Sequence, residues 1–231
     1  MHRFTALELI EISESGASLG PAGRGLLLLV SGGLPREAAE ALPLGARDRA
    51  LFGLRAAQFG PRMEIAQVCT ACGEAMEYAL TAADLGRDAL VGEGAGEGVP
   101  TATVDGITVR AINAGDLAAC EREGDAGAAR RVLRARVAPG GGAIDDDRLD
   151  TILGHLDPDA ELDIAAACPA CGADQVLAFD IAAFFWDEFA LRVPRLLDDV
   201  VDLAHAFHWS ERDILALTAS RRNFYLSRVR A

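Results

Sequence analysis

The chain contains no lysine: all 22 basic side chains are arginine. That absence removes Schiff-base chemistry and any phosphate loop ending in Gly-Lys. No nucleophile elbow is expected either: the one Gly-x-Ser-x-Gly match, residues 16–20, follows a helical stretch, where such an elbow follows a strand. Positive charge is scarce overall. Acids outnumber bases 35 to 22, for a net charge of −13 and a pI near 4.7. Such a chain is a poor general binder of nucleic acid, because that affinity rests on neutralising phosphates with cations. It is an equally poor peripheral binder of anionic membranes. Long apolar runs are lacking too. The longest strictly aliphatic run is residues 26–30, far below the ~18 residues of a membrane span. Glu8, Glu11 and Glu14 sit in the first helical stretch, where a leader sequence avoids acids, so the expected location is the cytoplasm. Aromatics make up only 6%, which leaves Leu, Ala and Val to fill the core. The length suffices for one large domain or two small ones.

Cysteine is the informative residue. Four of the five fall into two C-x-x-C pairs, Cys69-Thr-Ala-Cys72-Gly73 and Cys168-Pro-Ala-Cys171-Gly172. In a reducing compartment such pairs point to metal rather than to disulfides. A C-x-x-C-G turn is a zinc knuckle: the tight turn aims backbone N–H groups at the sulfurs, and the glycine supplies a left-handed residue. One knuckle provides half a tetrahedron. Two provide a closed four-thiolate site, which is structural because no coordination position stays open. The gap is unusual, since 95 residues separate Cys72 from Cys168. The expectation is a zinc ribbon split by a long insertion, with Cys69, Cys72, Cys168 and Cys171 holding a structural Zn2+. The competing reading is a redox pair, but a thioredoxin-type motif follows a strand and opens a helix. Strand-like residues flank both pairs here. Cys120 reads as a small buried apolar residue on a helix.

The remaining pattern is mixed. Residues 1–60 read as helical, with breaks at Gly20-Pro21, at Pro43 with Gly45, and at Gly60-Pro61; the helix after Gly45 is expected over 46–59. Segments 63–68 and 75–80 flank the first cysteine pair as strands, and 162–167 and 176–181 flank the second. Residues 92–100 form a glycine-rich loop. Asp105-Gly106 marks a hairpin turn within 101–111. Helices are expected over 116–123 and 126–136, and Asp145, Asp146 and Asp147 open another that runs through His155. Phe185, Phe189, Val193, Leu196, Val200, Leu203 and Phe207 make one helical stripe, which Pro194 breaks or kinks. Ser210 with Asp213 resembles a capping box, and a final helix spans 219–229.

Other constellations have plainer explanations than chemistry. Asp202, His205 and His208 have metal-ligand spacing but read as the polar end of an amphipathic helix. The three consecutive aspartates lack the alternation and glycine of a calcium loop. Arg221, Arg222, Arg228 and Arg230 make the C-terminus basic, and residues 210–229 have the order of a helix-turn-helix. In so acidic a chain these arginines suit an acidic protein partner better than DNA. Carboxylates form no pair that spacing singles out, and the chain reads as a non-enzyme.

Residues 203–226, Leu-Ala-His-Ala-Phe-His-Trp-Ser-Glu-Arg-Asp-Ile-Leu-Ala-Leu-Thr-Ala-Ser-Arg-Arg-Asn-Phe-Tyr-Leu, carry a family likeness. So do 44–51, Phe59-Gly60, the two knuckles, Asp116-Leu117 and Phe184-Phe-Trp-Asp-Glu188. In this order they resemble the baseplate-hub assembly proteins of T-even-type contractile phage tails and related contractile injection systems. Thr70 departs from the pattern, where proline is commoner, and residues 101–145 lack much of it. The resemblance implies a non-enzymatic role in building a baseplate, as a component retained in the particle or as a chaperone, with baseplate or hub and spike proteins as partners. Trp209, Arg221, Arg222 and Tyr225 are the partner-binding candidates, being residue types that dominate interface energetics.

The expected fold is therefore α+β. A helical N-terminal region (1–60) leads into a split ribbon core (61–183) with an α/β insertion at about 82–160, and a helical C-terminal arm (184–231) follows. A nucleic-acid-associated zinc ribbon and a redox or metal-handling protein are the alternative functions. No membrane and no nucleic acid are expected as partners.

Overall fold

Thr5 opens the first helix with a capping box: the Glu8 N–H donates to its hydroxyl, and its own N–H donates to the Glu8 carboxylate at 2.7 Å. In the computed structural model, which describes residues 2–87, 98–140, 142 and 144–230, this helix is α1 (Ala6–Gly16). Gly20-Pro21 does not only interrupt the chain. Pro21 is the first residue of α2 (Pro21–Ser31), where its missing N–H costs nothing. The next two donors, the Ala22 and Gly23 N–H groups, reach the Glu121 carboxylate at 3.0 Å each. After α3 (Arg36–Ala41) comes α4 (Leu44–Phe59). It starts ahead of the expected residue 46 and includes Gly45, because Asp157 accepts from the Gly45 N–H at 2.9 Å.

Three antiparallel hairpins follow among the described residues, each a separate two-stranded sheet. They are β1 (Met63–Val68) with β2 (Ala75–Leu80), β3 (Thr101–Val104) with β4 (Ile107–Arg110), and β5 (Asp163–Ala167) with β6 (Asp174–Ala178). Asp105 and Gly106 both have positive φ, 52° and 79°, as a two-residue turn of that composition requires. The last strand is shorter than expected. Asp180 takes the Ala182 and Ala183 N–H groups and so starts a helix where the apolar run to Ile181 suggests more strand. Between the second and third hairpins lie α5 (Ala114–Glu121), α6 (Ala126–Val137) and α7 (Asp146–Leu156). Most of the expected loop at 92–100 lies outside the described residues.

The chain ends in α8 (Ile181–Phe207), α9 (Glu211–Leu215) and α10 (Ala219–Val229). Pro194 lies inside α8 without ending it. The stripe explains this: Phe185, Phe189, Val193, Leu196, Val200 and Leu203 are all buried, on both sides of the proline. Each such side chain contributes about 1.5–3 kcal/mol on burial, together more than one lost hydrogen bond. Phe207 is the exception, at 38% exposure.

One hydrophobic core joins α1, α2, α4, α8, α9 and α10. The first and last stretches of sequence thus close over each other. Arg55 on α4 grips Glu188 on α8 through two hydrogen bonds, at 2.8 and 2.7 Å. Trp186 lies so close to Gly16 that a β-carbon there would fall 2.1 Å from its ring. The insertion has a small core of its own, built on Val109, Val137, Ala138, Ile144 and Leu149. Its far end returns to the main body through Asp157 on Gly45 and Asp159 on Arg49 and Arg87. The overall class is α+β, as expected.

Candidate metal centre

Each cysteine pair sits at the tip of a hairpin, and the two tips have the same backbone design. In the first, Cys69 N–H donates to Glu74 O at 2.8 Å and Gly73 N–H to Cys69 O at 2.9 Å. In the second, Cys168 N–H donates to Ala173 O and Gly172 N–H to Cys168 O, both at 2.9 Å. Gly73 and Gly172 have φ of 77° and 74°, the left-handed conformation that glycine adopts without strain. Cys69 and Cys168 are buried, while Cys72 and Cys171 face outward.

The two tips meet. Cys69 Sγ lies 3.8 Å from Cys171 Sγ, and Cys72 Sγ lies 3.7 Å from Cys168 Sγ. All four sulfurs lie within 4.8 Å of one another. A disulfide needs about 2.05 Å, so these are four free thiols. A tetrahedron of metal–sulfur bonds of ~2.3 Å has an edge of about 3.8 Å. The closest contacts match that edge, and both run between the hairpins rather than within one pair. Among the described residues this is the one group with metal-binding geometry; Asp202, His205 and His208 do not form another.

The electrostatics of the quartet are those of crowded thiols. Cys69 is lowered to about 7, by the Cys72 backbone N–H first and the Ala71 N–H after it. Cys72 is pushed up to about 12: the Glu74 N–H favours its thiolate, but the Cys171 and Cys69 sulfurs outweigh that donor. Four sulfurs this close cannot all carry charge without a cation between them.

Gln175 is a residue that sequence reasoning missed. It is buried on β6 and reaches across to the other hairpin. Its Oε1 accepts from the Thr70 N–H at 3.0 Å and the Thr70 hydroxyl at 2.9 Å. A proline at position 70 lacks both donors, so Thr70 is a working part of the junction. Buried Met76 and neighbouring Tyr78 pack on Cys69 and Cys168.

The comparisons return nothing. No family model, curated protein or solved structure matches this chain.

The partner-binding candidates are spread over the arm. Trp209 is half-buried and stacks on Phe207 at 4.8 Å between ring centroids, with Tyr225 edge-on to it at 5.0 Å. Arg222 is held 3.8 Å from Asp199, its side chain 11% exposed. Arg230 bonds Asp199 and Asp202, both at 2.8 Å. Arg221 stays exposed. Cys120 is half-buried rather than buried: its thiol points to Ala129 O at 3.4 Å, and burial pushes its pKa up. No described helix is long and apolar enough to cross a membrane.

Proposed function

We propose that the protein is a zinc-stabilised, non-enzymatic baseplate component or assembly chaperone of a contractile tail or injection apparatus, acting through protein–protein contacts. The observation that carries the metal reading is the meeting of four sulfurs, from turns 95 residues apart, at the edge length of a tetrahedral thiolate site. Zinc fits that donor set, and a four-thiolate site has no open position for catalysis. A redox role needs one pair, and it gives no reason for two hairpins to converge. The metal clamps a loop of about a hundred residues, which makes its binding energy folding energy.

The baseplate assignment rests on the sequence resemblance centred on residues 203–226. It draws support from the surface, where large apolar side chains stand exposed: Leu191 and Val201 at 64%, and Phe224 at 56%. Exposed apolar side chains of this size are available to a protein partner. The protein acts in the cytoplasm where it is made, and it either enters the finished particle or leaves before completion.

Affinity capture from the native host, with mass spectrometry of co-purifying proteins and of finished particles, tests the reading. Recovery with baseplate, hub or spike proteins is the expected result. Recovery with polymerase, nucleic acid or thioredoxin-type partners overturns it. Elemental analysis of the purified protein tests the metal separately: about one zinc per chain is expected, and iron or a folded metal-free protein rejects it.

A further inference from the structure

A groove of about 1440 Å3 runs between α1, α8, α9 and the start of α10. Drug-sized sites span ~300–1,000 Å3, so the space suits a segment of polypeptide better than a metabolite. Its floor is apolar, built from Phe4, Ile10, Leu196 and Leu215. Leu7 stands at the edge, 47% exposed.

The charges around it are out of keeping with the rest of the molecule. Five arginines and four acids line the groove, an excess of one positive charge on a chain of net −13. Arg222 lies 3.8 Å from Asp199, too far for a hydrogen bond, and its buried Nε has no other partner among the described residues. Arg3, Arg195 and Arg212 have no side-chain partner among the described residues, and Arg192 only overlies the Phe59 ring at 4.0 Å. Several arginines elsewhere are committed, as Arg55 is to Glu188 and Arg110 and Arg136 are to Asp116, and the groove gathers three uncommitted ones on one surface. The groove's other acids are Glu11 and Glu14 on α1 and Glu211 on α9. The arginines of α8 and α9 therefore form the electropositive side, and α1 forms the acidic one.

We infer that this groove binds an amphipathic helix of a partner protein, with an apolar stripe on the floor and carboxylates facing Arg192, Arg195 and Arg212. Guanidinium groups match carboxylates by two parallel hydrogen bonds, and helix-in-groove docking uses apolar anchors at three- and four-residue spacing. Glu11 and Glu14 repel the acidic side of the ligand from α1, which fixes its orientation. The inference rests on the reading of the protein as a protein-binding scaffold, and it names the surface and the chemistry.

Three synthetic helical peptides of about 18 residues test it, with one leucine pattern and a polar face of Glu, Gln or Arg. Binding to the purified full-length protein is followed by fluorescence anisotropy. The Glu peptide is expected to bind at least about tenfold more tightly than the Gln peptide. A triple variant, Arg192→Glu with Arg195→Glu and Arg212→Glu, is expected to reverse the preference towards the Arg peptide. Should the triple variant not fold, single Arg195→Gln and Arg212→Gln variants are each expected to weaken the Glu peptide several-fold. Equal affinity for all three peptides, or a preference untouched by these variants, overturns the inference. So does a concentration-dependent dimer, seen by sedimentation, that the variants abolish, since the groove then belongs to a second copy. The two readings fail separately. Capture of baseplate proteins without peptide binding removes the groove alone, and peptide binding without such capture removes the baseplate alone.

Discussion

Gln175 carries much of what joins the two cysteine turns. It is buried, and its carbonyl oxygen takes two donors from Thr70 on the other hairpin. Gln175→Ala leaves the Thr70 N–H without its partner, and the expected loss is about 1–3 kcal/mol by thermal unfolding. Metal should be retained but should exchange faster with a chelating dye. Cys69→Ser and Cys168→Ser are more severe. Each removes a buried thiolate from a closed site, and structural zinc is worth ~10–16 kcal/mol in zinc-finger peptides. Loss of metal is expected, with a partial fall in the far-UV signal as the hairpins and insertion unfold, and a metal-free double variant that keeps the full signal would sink the zinc reading. Asp116 is the other residue of consequence. Its side chain is fully buried and takes Arg110 and Arg136 at 2.6–2.8 Å. Burial alone would raise its pKa, but those partners and the Asn113 N–H hold it below the ordinary range. The unfolded chain therefore binds its proton first as pH falls. Its stabilisation is full above about pH 4 and is lost on further acidification. Asp116→Ala should cost about 3 kcal/mol, at the lower end for a broken buried pair because both arginines reach solvent. A variant whose acid unfolding midpoint matches the parent's would contradict this.

At the scale of elements, α2 and α4 lack a side-chain N-cap of their own, and distant carboxylates complete their starts. Glu121 completes the N-terminus of α2, and Asp157 does the same for α4. Each is an anion at the positive end of a helix dipole. Glu121→Gln keeps the shape but removes the charge, and a loss of about 0.5–1 kcal/mol in urea unfolding is expected. Pro194 gives a prediction of opposite sign. It lies exposed inside α8, where proline removes a backbone donor and crowds the preceding turn, a penalty of about 3 kcal/mol. Pro194→Ala should raise stability by roughly 1–3 kcal/mol. A lower melting temperature would mean that the proline shapes the helix for a packing it needs.

For the whole molecule the meeting of the four cysteines is a topological clasp. The insertion leaves from the first hairpin and returns to the second, so a metal held by the four cysteines would close a loop of about a hundred residues, whose far end Asp157 and Asp159 also tie to α4. Chelation is expected to expose the hairpins and the insertion to protease first. The core shared by α1, α2, α4 and α8 should persist longer, because it contains no ligand. Limited proteolysis with and without chelator reads this directly. Simultaneous cleavage throughout the chain would show that core and clasp unfold as one unit.

The sequence alone determined whatever depends on neighbours along the chain. The paired cysteines with their following glycines specify two turns of one geometry. Asp105-Gly106 specifies a hairpin, Ser210 with Asp213 a helix start, and the spacing from Phe185 to Leu203 a buried helical face. These are local rules of conformation and period. Tertiary structure decided what depends on residues far apart. It brought Cys69 to Cys171 and Gln175 to Thr70, and it placed Glu121 on α2 and Asp157 on α4. It carried α8 through Pro194, because burial on both sides of the proline outweighs the local penalty. It also set five arginines around an apolar groove, although Arg3 and Arg212 stand at opposite ends of the chain. No periodicity encodes such meetings, since they arise only when the first and last helices close one core.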